Sequence, residues 1–137
     1  MKRIGLVFVA FASFLVSVVA AADAGLGPSL WGWVERVPFG DKMCHCVLMF
    51  TLCLLANLAL GSRELHPGRG PFLLATVVVG CLVLAEEISQ IWIPGRTFDL
   101  LDLSADAIGL LAADLGARGL RARLRPSIRL ADRGEAA

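Results

Sequence analysis

Charge is scarce in this chain. Asp, Glu, Lys and Arg make up 18% of its 137 residues, too few to coat a soluble domain with a polar shell. An HExxH zinc motif, a glycine-rich phosphate loop and a nucleophile motif are all missing, which removes the usual sequence warrants for a metallohydrolase, a nucleotide enzyme or covalent catalysis. There is no internal repeat and no low-complexity tract. A formal net charge of +1 carries no signature of nucleic-acid binding. Cysteines are few: Cys44, Cys46, Cys53 and Cys81 all fall in apolar stretches. On a helix, neighbouring side chains diverge by about 100°, so the "CHC" at 44–46 cannot close on one ion from a single helix. Buried apolar thiols are the expectation, with neither a metal nor a cofactor.

What is present is hydrophobic. Apolar residues make up 57% of the chain and the mean hydropathy is +0.73, which points to an all-α integral membrane protein. Four apolar segments can be drawn: Ile4–Ala22, Met43–Gly61, Pro71 to about Ile93, and Asp99 to about Leu120. A helix needs about 20 residues to cross the hydrocarbon core. The first two qualify outright, and the last two do so if their carboxylates are tolerated. The expected fold is a bundle of four transmembrane helices over residues 1–120, followed by a basic tail over 121–137. The first helix is read as a retained anchor. Its basic start, apolar run and Ala20-Ala21-Ala22 also fit a cleavable signal peptide. On either reading the residues after Ala22 begin outside the cytoplasm.

Orientation follows from lysine and arginine. With four crossings, one side receives Lys2, Arg3, Arg63, Arg69, Arg118, Arg121, Arg123, Arg125, Arg129 and Arg133, and the other only Arg36, Lys42 and Arg96. Both termini are therefore expected in the cytoplasm. Trp31, Trp33 and Trp92 then fall on the outer side, where indoles favour the headgroup level.

That topology brings the polar residues of three helix ends to one level: Asp41, Lys42 and His45; Glu86, Glu87 and Gln90; Arg96, Asp99, Asp102 and Asp106. Asp99, Asp102 and Asp106 stand at i, i+3 and i+7, one helical face that continues into Gly109 and Ala113. Thr76, Gly80, Val83, Glu87 and Gln90 form a similar stripe, which assigns Glu87 to the bundle interior and Glu86 to its periphery. A carboxylate in mid-bilayer costs about 3 kcal/mol if unpaired, so Glu87 and Asp106 need partners. Arg96, nearest in sequence to Glu87, Asp99 and Asp102, is the expected counter-charge, folded back by the Pro94-Gly95 turn. Plainer roles stand beside these. Asp99 and Asp41 can cap helices, Asp102 can complement a helix dipole, Lys42 can snorkel, and His45 can be a hydrogen-bonded core residue. Asp114 is expected to pair with Arg118 one turn on.

"DKMCH", "EISQ", "IPGRTFDLLDL" and "ADAIG" together resemble the VanZ-like family of small bacterial membrane proteins. The resemblance covers about 41–113, through Asp41, Lys42, His45, Glu87, Gln90, Pro94, Gly95, Arg96, Asp99, Asp102, Asp106 and Gly109. This chain has Asp106 where the family often has Asn, and Met49 where it often has an aromatic. The resemblance implies a bacterial inner-membrane protein whose namesake is associated with teicoplanin resistance.

The expected function is an envelope factor with an outward polar pocket formed by Asp41, Lys42, His45, Glu87, Gln90, Arg96, Asp99, Asp102 and Asp106. Its partners would be the lipid bilayer and an envelope lipid or glycopeptide-type ligand. Arg96 and Lys42 would meet phosphate or carboxylate, and Glu87, Gln90 and Asp102 would orient hydroxyls or amides. Two alternatives remain open. One is a membrane enzyme with Glu87, Asp106 and His45 as acid/base groups. The other is a structural subunit that assembles with itself or a larger complex.

Overall fold

The computed structural model describes residues 2–34, 36–65 and 72–134, with side chains described as far as Arg123. Arg69, Pro71 and the side chains of Arg125, Arg129 and Arg133, which entered the basic-bias and segment readings, lie outside the described residues.

Helix α1 spans Lys2–Asp23 and the short α2 spans Gly27–Trp31. The long helices are α3 (Gly40–Ala59), α4 (Leu74–Ser89, with a 3₁₀ turn over Gln90–Trp92) and α5 (Leu100–Gly134). Outside the helices, one backbone bridge joins Glu64 and Leu73 among the described residues. Three helical stretches are long and apolar enough to cross a membrane: Lys2–Asp23, Gly40–Ala59 and Leu74–Trp92. The fourth apolar segment is helical as well. Its aspartates at 102, 106 and 114 set it apart in composition, and it does not stop near Leu120 but runs on to Gly134.

The long helices alternate in direction. Contacts bring Asp23 at the end of α1, Lys42 at the start of α3, Glu86 and Glu87 at the end of α4, and Asp99 before α5 to one end of the bundle. Helices α3 and α5 share the most extensive interface, α4 packs on both, and α1 lies along α3. The core is small-chained: Cys53, Ala56, Ala75, Val79, Leu110 and Ala113 are buried together. Small residues let helices approach closely where lipid, unlike water, supplies no hydrophobic drive between them. The closest approach is at Gly109, where an added Cβ would collide with the backbone of Cys46 and Phe50 on α3. Glycine is required there for space.

Outward faces are apolar: Leu6, Val16, Leu82, Ile108 and Leu115 are all exposed. Hydroxyls on those faces return to their own helix. Ser17, Thr51 and Ser104 donate to the carbonyls of Ser13, Val47 and Leu100, so these three hydroxyl protons are satisfied without water.

Candidate functional site

The polar site is assembled from three helix ends. The first turns of α3 supply Asp41, Lys42 and His45. Helix α4 ends in Glu87 and Gln90. Asp99 precedes α5, which carries Asp102 and Asp106 on its first turns. Glu87 is 1% exposed, Asp106 3% and Gln90 5%, while Glu86 is half-buried. That split follows the stripe assignment, because one residue on a helix turns the side chain by about 100°.

Lys42 is the hub. Its Nζ lies 2.5 Å from Asp102 Oδ1, 2.6 Å from Asp99 Oδ2 and 3.0 Å from Asp41 Oδ2. An ammonium has three donors, and here each has a carboxylate. The positive charge at the mouth of the bundle is thus consumed within the protein.

Asp99 links all three helices. Its Oδ1 accepts the Leu101 N–H at 2.8 Å and caps α5. Its Oδ2 takes Lys42, and its own N–H donates to Glu87 Oε1 at 2.9 Å. Asp99 is thus both a cap on α5 and a member of the polar cluster. The second Glu87 oxygen accepts from Gln90 Nε2 at 3.1 Å, and the same amide reaches the Glu86 carboxylate.

Beside the hub sits an imidazole–carboxylate pair. His45 Nδ1 is 3.0 Å from Asp106 Oδ1. Its Nε2 stands 3.9 Å from Asp102 Oδ1, and the ring is about one-third exposed. A carboxylate on one ring nitrogen fixes the ring, and the other nitrogen stands beside the Asp102 carboxylate.

Arg96 does not play the part expected of it. Its guanidinium meets Glu86 at 3.3 Å and Asp23 on α1 at 3.8 Å, and no contact joins it to Glu87, Asp99 or Asp102 among those it makes. The cause is local. Ile93 O accepts the Arg96 N–H at 3.1 Å across a Pro94-Gly95 turn with Gly95 at φ +82°, which is the type II pattern. That turn delivers Arg96 to the α1 side of α4, where Glu86 points. Lys42 is the counter-charge, from 57 and 60 residues away along the chain.

A second polar cluster at the opposite end was only partly visible in the sequence. Asp114 pairs with Arg118 at 2.6 Å, as its spacing predicts. It also accepts the Leu73 N–H at 2.9 Å and the Thr76 hydroxyl at 2.7 Å, tying α5 to the start of α4. Thr76 in turn accepts from Asn57 Nδ2 at 2.9 Å. Asn57 is fully buried. Its one signal in the sequence is an amide alone in the apolar run of α3. Asp114→Ala should lower thermal stability in detergent far more than Arg118→Ala, because it leaves a buried N–H and a hydroxyl unpaired. Equal losses would show that the ion pair alone matters.

Cys44 is exposed, Cys46 half-buried and Cys53 buried. His45, between the first two, is committed to Asp106.

No family model matches the chain, and no solved structure matches it. An uncharacterized protein of Schizosaccharomyces pombe is similar to it, 31% identical over 98 residues, covering 72% of this chain and 56% of the yeast protein. The chain thus spans about half the length of that curated relative. The VanZ-like resemblance accordingly rests on the motifs alone.

Glu87→Gln should impair the protein more than Glu86→Gln. Glu87 accepts one bond from each of two elements, and a Gln amide can keep one of them. Matching melting temperatures and matching ligand retention for the two variants would reject the inward assignment of Glu87.

Proposed function

We propose that the chain is a VanZ-like protein of the bacterial inner membrane. It crosses four times with both termini cytoplasmic, and its polar site opens toward the outer leaflet to bind the head of an envelope lipid or glycopeptide-type amphiphile. The observation that carries this reading is the balance of charge at the site. Among the described residues, the basic groups that meet Asp41, Glu86, Asp99, Asp102 and Asp106 are Lys42, Arg96 and His45, and Lys42 is already held by three carboxylates. Carboxylates therefore outnumber basic groups, and the preferred head group brings its own donors: amine, hydroxyl or amide N–H. A phosphate or carboxylate at Lys42 would compete with Asp41, Asp99 and Asp102. An anion would have to displace a carboxylate from Lys42 and face the remaining acids.

Purification in native lipid followed by mass spectrometry of what stays bound tests this. An amine- or hydroxyl-bearing amphiphile retained by the wild type and lost in Asp102→Asn supports it. Retention of anionic lipids alone, equal in both proteins, rejects it. Topology has its own test in a cysteine-free background. An impermeant maleimide should label Phe39→Cys in intact cells and leave Arg123→Cys unlabelled, and the reverse pattern would invert the orientation.

A second reading, a membrane enzyme, is favoured by the His45–Asp106 pair. Asp106 is the buried partner that orients the ring, and Nε2, beside Asp102, is the nitrogen left to take a proton from a bound hydroxyl or water. Turnover of a bound envelope amphiphile that disappears in His45→Gln would establish it over binding alone.

A further inference from the structure

The end of the bundle away from the polar site has the opposite charge balance. Helix α1 begins there, because its last residue, Asp23, lies beside Arg96 at the other end. The turn after α3 is there too: Arg121 Nη1 donates to Ser62 O at 2.8 Å and to Glu64 Oε1 at 3.1 Å. Arg118 and Arg121 are answered by Asp114 and Glu64. Lys2, Arg3, Arg63 and Arg123 are exposed, and among the described residues no carboxylate comes within ion-pair distance of any of them. At the polar site carboxylates are in excess; here cations are left over.

One of these cations lines a cavity. A groove of about 270 Å³ lies along α5, bounded by Gly116, Gly119, Leu120 and Arg123. An added Cβ at Gly116 or Gly119 would meet nothing within 4 Å, so bare backbone there is open to a neighbour. Contacts between helices fix its depth. Asn57, Thr76 and Asp114 are hydrogen-bonded in a row. Asn57 is two residues before the end of α3, and Thr76 two after the start of α4. At about 1.5 Å per residue, these two helices stop about 3 Å beyond Asp114, while Gly119 lies about 5 Å and Arg123 about 10 Å past their ends. The polar layer on each face of a bilayer is about 5–7 Å thick, and an arginine side chain leans back toward the start of its helix. The groove and the Arg123 guanidinium therefore meet at headgroup depth.

We propose that this groove seats the phosphate of an anionic phospholipid, with Arg123 as its counter-charge and Lys2, Arg3 and Arg63 drawing such lipids to the same leaflet. The fork of donors on a guanidinium matches a phosphate, and no carboxylate competes for it among the described residues. The occupant is a lipid rather than a soluble anion because the groove stands at the ends of helices long and apolar enough to span the bilayer. The site shares no residue with the acidic cluster at the other end, so it stands whether or not that cluster binds a ligand.

The test titrates the full chain in detergent with dioleoyl phosphatidylglycerol or dioleoyl phosphatidylcholine and counts bound lipid by native mass spectrometry. The wild type should retain phosphatidylglycerol at concentrations where phosphatidylcholine does not bind. Arg123→Gln should weaken that binding about fivefold, the order of effect of one basic residue at an anionic surface, and Arg123→Lys should recover part of it. Gly119→Phe keeps every charge and fills the groove, and should weaken binding comparably. All three variants should melt like the wild type without added lipid, and Asp102→Asn should bind phosphatidylglycerol as the wild type does.

Equal binding of the two lipids would overturn the proposal. A phosphatidylglycerol preference unchanged in Arg123→Gln and Gly119→Phe would place the lipid on the basic end at large and overturn the groove as its seat. Displacement of the lipid by millimolar inorganic phosphate would make a soluble anion the occupant. A lower melting temperature for lipid-free Arg123→Gln would give Arg123 a structural role instead.

Discussion

Lys42→Met should destabilise the protein more than any other single change at the polar site. The substitution keeps most of the length of the side chain and removes the charge, leaving Asp41, Asp99 and Asp102 facing one another across the α3–α5 junction. Breaking a fully buried ion pair costs about 3–5 kcal/mol, and an exposed one about 0–1 kcal/mol. This cluster is partly open, so a loss of about 2 kcal/mol is expected. Lys42→Arg should recover only part of it, because a planar guanidinium cannot aim its donors at three converging carboxylates as an ammonium does. Adding Asp102→Asn to Lys42→Met should return some stability, since one of the uncompensated charges is then gone. The measurement is melting temperature for wild type, single variants and double, read as a cycle. Adding Asp102→Asn to Arg96→Ala should give strictly additive losses, because those residues do not touch. Coupling between Arg96 and Asp102, with none between Lys42 and Asp102, would refute the site geometry.

The second large effect belongs to Gly109. Its position on α5 faces the α3 backbone at Cys46 and Phe50, and neither a carbonyl nor an amide of a helix can swing aside as a side chain does. Gly109→Ala must push the two helices apart over their whole contact, at a cost of about 1–3 kcal/mol for an overpacked interface. His45 is the neighbour of Cys46, and Asp106 lies one turn before Gly109, so the same separation stretches the His45–Asp106 pair of 3.0 Å. Loss of stability and loss of retained ligand should therefore appear together. Gly116→Ala, on the same helix with nothing within 4 Å of the added Cβ, is the control and should match or slightly exceed the wild type in stability. A Gly109→Ala protein that melts and binds like the wild type would show that the helices do not approach here.

The helices and the faces of the polar residues were legible in the chain itself. Long apolar runs have no other stable backbone in lipid, so helices follow from composition and length. A period of 3.6 residues then places Asp102 and Asp106 on one face and separates Glu87 from Glu86. The i, i+4 pairing of Asp114 with Arg118 is equally local, as is the cap that Asp99 gives to α5. What local rules cannot reach is partnership between helices. Sequence proximity favoured Arg96 as the counter-charge, but the turn at Pro94-Gly95 carries it to Glu86 and Asp23, and a lysine from α3 arrives instead. Asn57 had no periodic pattern to mark it, and its role exists only where Thr76 and Asp114 come to meet it. The close passage of α3 and α5 at Gly109 brings Lys42 within reach of Asp99 and Asp102, while Asn57 meets Thr76 across the α3–α4 contact, and the spacing of those backbones belongs to the packed bundle.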